Sequence, residues 1–89
     1  MENKDIPNPK EEFTRLSDLV RGEQAVIKGY SDDSPQSRTM RAMGLYENIS
    51  VQLKQRHSGR LIVAFHGARI AMAKEIADSI LVERKQPQP

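Results

Sequence analysis

Residues 49–66 read ISVQLKQRHSGRLIVAFH, and this stretch decides the fold. Apolar residues occupy every second position in two runs, a period typical of strands that turn one face toward a core. The alternating apolar residues are Ile49, Val51, Leu53, Leu61, Val63 and Phe65. Residues 56–60, between the runs, have the polar and glycine composition of a hairpin loop. The stretch therefore predicts two antiparallel strands.

A helix is predicted upstream, over residues 34–44. Ser34 is a suitable N-cap, and Pro35 occupies the first helical position, where its missing N–H costs nothing. Gly44 is the expected stop, because glycine readily adopts the left-handed conformation that ends helices. The residues before this helix, 23–30, alternate in the manner of a strand.

Shorter elements are predicted at both ends of this central part. Residues 16–22 predict one helical turn, which Ser17 would cap and Gly22 would close. Gly67 predicts a turn or bulge before a further strand. The remaining predicted elements are a strand over 69–72, a helical turn over 73–78 and a closing strand over 79–83.

This order of elements predicts a mainly β domain of about five strands, curled into a small, partly open barrel that limits exposed sheet edges. The folded domain is expected over residues 13–84, with disordered tails at 1–12 and 85–89 that are polar and proline-containing. The predicted core consists of Leu16, Leu19, Ala25, Ile27, Met40, Met43, Leu45, Ile49, Val51, Leu53, Val63, Phe65, Ile70, Met72, Ile76, Ile80 and Val82.

The composition excludes several classes of protein. The 89 residues include no cysteine, which rules out disulfides and thiolate metal sites and favours a reducing cytoplasm. No apolar run is long enough for a membrane span, so direct membrane insertion is not expected. Phosphate-binding glycine loops and nucleophile elbows are absent as motifs, so no catalytic residues and no cofactor are predicted.

Two alternative functions stay open at this level. Arg56 and Arg60 form a basic hairpin end, which together with the exposed strand face favours a small-barrel nucleic-acid-binding protein, although the net charge of +2 is small. His57 and His66 could serve a metal-sensing module with nearby carboxylates, but two imidazoles are too few for a structural zinc site. The leading expectation is therefore no metal site and no nucleic acid.

Asp32 and Asp33 precede the predicted helix, and their expected role is to favour its N-terminus through the helix dipole. Met40 and Met43 lie three residues apart on the same helix. Such spacing is typical of core methionines, and the alternative is an adaptable groove for a partner, since methionine surfaces deform easily.

The chain resembles the FeoA family of ferrous-iron-transport accessory proteins. The resemblance is carried by three blocks: residues 16–22 with 25–27, residues 38–45 (RTMRAMGL), and residues 61–72 (LIVAFHGARIAM) with 75–77 and 80–82. One departure is visible, because the family commonly has a Pro-Gly turn where this chain has Tyr46-Glu47-Asn48. Asn48 tolerates positive φ, so the turn is expected to survive.

The resemblance implies an SH3-like β-barrel with a short helix inserted after its first strand. It also implies a non-catalytic cytoplasmic protein that binds the cytoplasmic portion of the FeoB-type membrane GTPase iron transporter. The expected oligomeric state is a monomer or a weak homo-oligomer. The expected contact surface consists of Arg38, Arg41, Met43, Leu45 and Tyr46.

Overall fold

The computed structural model describes residues 14–85, so the predicted tail at 1–12, and all of the tail at 85–89 except Lys85, lie outside the described residues. The strands are β1 (Thr14–Arg15), β2 (Gln24–Tyr30), β3 (Ser50–His57), β4 (Arg60–Phe65), β5 (Ala68–Ala73) and β6 (Ile80–Arg84). The helical segments are a 3₁₀ turn (Leu16–Asp18), α1 (Pro35–Ala42) and α2 (Lys74–Ala77).

The strands form one antiparallel sheet in the order β1-β6-β2-β3-β4-β5. This confirms the prediction of a mainly β protein with a short inserted helix. The helix was predicted after the first strand and follows β2, because the short strand β1 precedes the strand that was predicted as the first. Residues 14–85 form six strands, whereas about five were predicted. The additional strand, Thr14–Arg15, pairs with Val82 and Leu81, and two residues are too few to show a period.

Two tight turns connect the β3-β4-β5 meander. Ser58 and Gly59 both have positive φ, 51° and 77°, and His66 and Gly67 repeat the pattern with 50° and 78°. Positive φ at both central residues is the requirement of type I′ turns, which match the twist of the flanking strands. The loop predicted over residues 56–60 is therefore shorter than expected, since only Ser58 and Gly59 lie outside the strands.

The core fills the concave side of the sheet and contains most of the predicted residues. Its buried members are Leu16, Leu19, Ala25, Ile27, Met40, Leu45, Val51, Leu53, Leu61, Val63, Met72, Ala77, Ile80 and Val82. Ile49, Phe65, Ile70 and Ile76 are only partly buried and pack against this cluster. Met43 was wrongly predicted as core, because its side chain is 50% exposed.

The 3₁₀ turn also differs from the prediction. Its N-cap is Arg15, and Ser17 does not cap it. The Ser17 hydroxyl instead donates to the carboxylate of Asp78, which ties the turn to the end of α2. Gly22, with φ of 88°, closes a later turn in which the Glu23 N–H donates to the Val20 carbonyl at 2.9 Å.

No helix in the part of the chain that the structure describes is long and apolar enough to cross a membrane.

Candidate docking surface

The start of α1 is fixed by hydroxyl and carboxylate groups. The Ser34 Oγ accepts from the Ser37 N–H at 3.1 Å, as predicted for an N-cap, and Pro35 follows it. Asp32 accepts from the Ser37 hydroxyl at 2.6 Å, from the Ser34 N–H at 3.2 Å and from the Ser79 hydroxyl at 3.1 Å. The hydrogen bond from Ser37, with that from the Ser34 backbone, lowers the pKa of Asp32. The helix therefore begins at a defined point on the barrel.

The end of α1 is a Schellman motif. The Leu45 N–H donates to the Met40 carbonyl and the Gly44 N–H donates to the Arg41 carbonyl, both at 3.0 Å. Gly44 adopts φ of 112°, the left-handed residue such a motif needs. Leu45 and Met40 are both buried, which supplies the apolar contact that usually accompanies the motif. The apolar–Gly–apolar step of the sequence is thus the signature of this helix end.

The motif separates the side chains at the helix end into buried and exposed ones. Leu45 has no exposed surface, whereas Met43 and Tyr46 are 50% and 51% exposed. Exposed large apolar side chains are few in residues 14–85, and the third is Val20 in a distant turn. Two of the three therefore flank the buried Leu45 at one corner of the barrel.

Arg41 connects this corner to neighbouring elements of the barrel. Its guanidinium carbon lies 4.5 Å from the centroid of the Tyr30 ring, a cation–π geometry. Its nitrogens lie 3.5 Å from Oδ1 of Asp33 and 3.8 Å from Oε2 of Glu47. One arginine thereby joins the loop before α1, the end of β2 and the loop after the helix.

Tyr30 completes the support. Its hydroxyl donates to the Leu45 carbonyl at 2.5 Å, which satisfies a backbone oxygen just beyond the helix. Burial of the ring, despite the opposing charge of Arg41, raises the pKa of Tyr30 to about 12. The phenol is therefore protonated at neutral pH and remains a hydrogen-bond donor.

The loop after Leu45 returns to the sheet through backbone bonds. The Asn48 N–H donates to the Ile27 carbonyl at 2.8 Å, and the Ile27 N–H donates to the Ile49 carbonyl at 2.9 Å. Asn48 has φ of 74°, which confirms that the turn survives without the Pro-Gly pair. Tyr46 thus sits on a short loop that is bonded at both ends.

The helix end also packs closely against the Phe65 ring of β4, which leaves no room for a side chain at Gly44. A Cβ atom placed on Gly44 would lie 3.2 Å from Cε2 of Phe65, tighter than ordinary van der Waals contact. Glycine is therefore required here both for its φ and for its lack of a side chain.

We define the α1 patch as the exposed side chains of Arg38, Met43 and Tyr46, with the half-buried Arg41 at its base. Four of the five predicted contact residues belong to it. Leu45 is the correction, because its side chain lies in the core and cannot contact a partner. The Schellman motif buries Leu45 and leaves Met43 and Tyr46 exposed, and the spacing of apolar residues in the sequence does not predict this difference.

Sequence reasoning did not identify how Arg41 is held. Tyr30 is separated from Arg41 by the whole first part of α1, and Glu47 lies beyond the helix stop. Asp33 was predicted to favour the helix N-terminus, and its pairing with Arg41 near the other end of the helix was not predicted. A clue was available in the run Tyr30 to Asp33, where an aromatic ring and two carboxylates precede an arginine-bearing helix.

The residues of the two alternative functions lie elsewhere. His57 ends β3 beside Arg60, whereas His66 follows the opposite end of β4. No three His, Asp or Glu residues within 14–85 are placed to hold a metal ion. The Arg56 guanidinium donates to the carbonyls of Ser17 and Leu19, the latter at 2.6 Å, so it braces the 3₁₀ turn.

A small antiparallel barrel with a helix inserted between two of its strands is the architecture of an SH3-like domain. A model of the FeoA domain matches residues 14–84, which is nearly the whole of the described chain. The chain therefore belongs to the FeoA family. No curated protein sequence matches it.

Solved structures share the fold at low identity. A FeoA-like protein from Clostridium acetobutylicum is 16% identical with a TM-score of 0.79, over 88% of this chain and 93% of its own. An iron uptake regulatory protein (FeoA) is 22% identical with a TM-score of 0.75, over 82% of this chain and 99% of its own. FeoA from Stenotrophomonas maltophilia is 21% identical with a TM-score of 0.73, over 79% of this chain and 89% of its own. The last was solved with zinc and described as a prokaryotic SH3 domain protein.

Proposed function

We propose that this chain is a non-catalytic accessory protein of ferrous iron transport that binds the cytoplasmic portion of a FeoB-type GTPase transporter through the α1 patch. Family membership supports the link to iron transport. The description of the Stenotrophomonas protein as a suggested ferrous iron transport activating factor supports an accessory role. The observation that carries the docking surface is the pair of exposed side chains, Met43 and Tyr46, on an anchored helix end.

The chemistry of the patch suits a protein partner. Tyrosine, methionine and arginine are enriched in protein interfaces, and tyrosine and arginine are common among residues that dominate binding energy. A half-exposed tyrosine offers apolar ring area and a hydroxyl that can reach a partner group. Burial of Met43 and Tyr46 on a partner removes apolar surface from water at both sides of the Schellman motif.

Rigidity strengthens this surface. The loop that bears Tyr46 is bonded to β2 at Ile27, and its first carbonyl is held by the Tyr30 hydroxyl. Binding to a loop whose backbone is already ordered avoids the entropic cost of fixing that loop on association. The anchors therefore raise affinity without contacting the partner.

The charges of the patch have different roles. The Arg41 cation is largely balanced by Asp33 and Glu47, both within ion-pair distance. Arg38 is exposed and has no carboxylate at ion-pair distance within residues 14–85. Arg38 is therefore the charge that would steer encounter with an acidic partner surface, an effect that weakens with added salt.

The test is an NMR titration of the isotopically labelled full chain with the transporter's cytoplasmic domain. We expect saturable shifts centred on the amides of Met43 to Asn48, and much smaller ones elsewhere. Tyr46→Glu should abolish these shifts, while Val20→Glu, which changes an exposed apolar residue in another turn, should leave them intact. No shift at high domain concentration, or equal loss in both variants, would contradict docking through the α1 patch.

A further inference from the structure

The sheet has two edges of very different length. One edge is β1, with two residues, and the other is β5, with six. All six residues of β5 pair with β4 without a register shift. A long and regular edge strand is a template for pairing with another extended chain.

In the pairing of β4 with β5, hydrogen-bonded and non-hydrogen-bonded residue pairs alternate, and this alternation shows which backbone groups of β5 face outward. In a hairpin closed by a two-residue turn, the pair that flanks the turn exchanges hydrogen bonds, and every second pair does the same. That pair here is Phe65 with Ala68. The bond from the Lys74 N–H to the Gly59 carbonyl, at 2.9 Å, continues the same phase.

The alternate residues, Arg69, Ala71 and Ala73, therefore direct their N–H and C=O groups away from β4. No hydrogen bond joins these groups to any other part of residues 14–85. We call these outward backbone groups the β5 edge.

The usual protections of an edge are weak here. β5 contains no proline, no bulge and no charge that points inward. Ala71 and Ala73 have side chains small enough for another backbone to approach closely. Arg69 is the one charged residue of the strand, and it is exposed.

The surroundings of the edge are basic. Residues 48–74 contain no Asp or Glu, although they include five cations: Lys54, Arg56, Arg60, Arg69 and Lys74. Lys74 pairs with Asp78 and Arg56 donates to two carbonyls, which leaves Lys54, Arg60 and Arg69. Arg69 pairs with Ala64, which in turn pairs with Gln52, so Arg69 shares the convex face with neutral neighbours. No carboxylate within residues 14–85 lies at ion-pair distance from Lys54, Arg60 or Arg69. Charge complementarity therefore favours an anionic occupant.

A peptide fits these observations better than nucleic acid or a second copy. Single-stranded nucleic acid gains much of its affinity from stacking on aromatic rings, and the convex face of β3-β4-β5 presents none in its Gln52, Ala64 and Arg69 row. Pairing of two β5 strands would place the cations of two copies on one continuous face without any carboxylate between them, and like charges repel.

We propose that the β5 edge binds an extended acidic polypeptide segment as an additional strand, on a surface separate from the α1 patch. Backbone bonds to Arg69, Ala71 and Ala73 supply affinity, and the cations of β3 to β5 select acidic side chains. Asp32 and Glu75 line a cleft of about 400 Å³ beside Ala73. Arg60 pairs with Ala73 at this end of β5, whereas Arg69 lies at the other end, away from these two carboxylates. The acidic side chains of the bound segment are therefore favoured at the Arg69 end of the strand.

The test uses the labelled full chain and a short synthetic peptide of alternating Glu and Val. We expect shifts and slowed hydrogen exchange at the amides of Arg69, Ala71 and Ala73, with affinity that falls as salt rises. A peptide with Lys in place of Glu should not bind. Arg69→Glu should weaken binding at least about tenfold, which corresponds to about 1.4 kcal/mol.

A pair of variants at one position separates the backbone from the side chain. Ala71→Pro removes an outward N–H, which edge strands tolerate because that group does not bond within the sheet. Ala71→Val keeps the N–H and changes only the side chain. We expect Ala71→Pro to abolish peptide binding while its circular dichroism stays native, and Ala71→Val to retain it.

Four results would overturn the proposal. They are no binding of the acidic peptide, equal binding of the lysine peptide, tighter binding of a single-stranded oligonucleotide to the same amides, and peptide shifts confined to Met43 and Tyr46. Because the α1 patch is tested with a different probe and different variants, failure of this proposal leaves the proposed transporter contact standing.

Discussion

The α1 patch and the β5 edge offer partners opposite kinds of surface. The patch presents side chains, Met43 and Tyr46, while the backbone around them is bonded internally. The edge presents backbone groups, while its side chains are mostly alanine. A surface of side chains depends on the anchors beneath it, whereas a surface of backbone groups depends only on the strand that bears it. Substitutions far beneath the surface should therefore affect the patch and spare the edge.

Among the substitutions that distinguish the patch from the edge, Leu45→Ala should cause the largest loss of stability. Leu45 is fully buried, so its truncation is expected to lower the free energy of unfolding by about 2–5 kcal/mol. Met43→Ala, two residues away and half exposed, should change it by no more than about 0.5 kcal/mol. Urea unfolding followed by circular dichroism measures both. Equal losses would show that Leu45 does not anchor the patch.

Gly44→Ala should follow in size. The substitution places a side chain at φ of 112°, with its Cβ 3.2 Å from the Phe65 ring. The backbone strain alone is about 1–3 kcal/mol. Gly22→Ala is the matched control, since Gly22 also has positive φ but nothing lies within 4 Å of the added atom. The excess loss at Gly44, measured by the same unfolding curves, reports the Phe65 contact, and an absent excess would contradict that contact.

The buried phenol of Tyr30 predicts a loss of stability in alkali. Because burial raises the pKa of Tyr30 to about 12, the unfolded chain releases this proton at a lower pH than the folded chain does. The contribution is complete below the ordinary pKa of about 10 and is lost as pH rises through about 12. Unfolding free energies across that range should fall more steeply in the native sequence than in Tyr30→Phe. Parallel curves would refute the assignment.

The smallest effect on stability is expected at the β5 edge. Arg69 is exposed and has no ion pair within residues 14–85, so Arg69→Glu should change the unfolding free energy by no more than about 0.5 kcal/mol. A loss comparable to that of Leu45→Ala would mean that the Arg69 side chain anchors this strand end, which contradicts an edge that depends only on its backbone groups.

Local patterns in the sequence predicted most of the fold. The alternation in residues 49–66 located β3 and β4, and Ser34, Pro35 and Gly44 located the ends of α1. These signals succeed because each element buries one face or caps itself with neighbouring residues. β1 escaped prediction because a two-residue strand depends on its pairing with β6 instead of on its own residues.

Burial divides the predicted contact residues, and docking through them stays a prediction. Arg38, Met43 and Tyr46 are exposed and Arg41 is half-buried, whereas Leu45 is fully buried. Helical spacing placed Met43 with Met40 in the core, but Met43 is the C-cap of α1 and its side chain is half exposed. The chain leaves the helical path at the next residue, Gly44, whose φ is 112°. The Tyr30–Arg41 contact joins separate elements, and hydrophobic periodicity carries no information about such contacts.

Docking through the α1 patch is best tested by the affinity of the transporter's cytoplasmic domain for two alanine variants, measured by calorimetry. Tyr46 and Val20 are both exposed on this protein, but only Tyr46 belongs to the α1 patch. We expect Tyr46→Ala to raise Kd at least about tenfold, or about 1.4 kcal/mol, and Val20→Ala to leave it within about twofold. Unchanged affinity for Tyr46→Ala, or an equal loss for Val20→Ala, would rule out docking through the α1 patch.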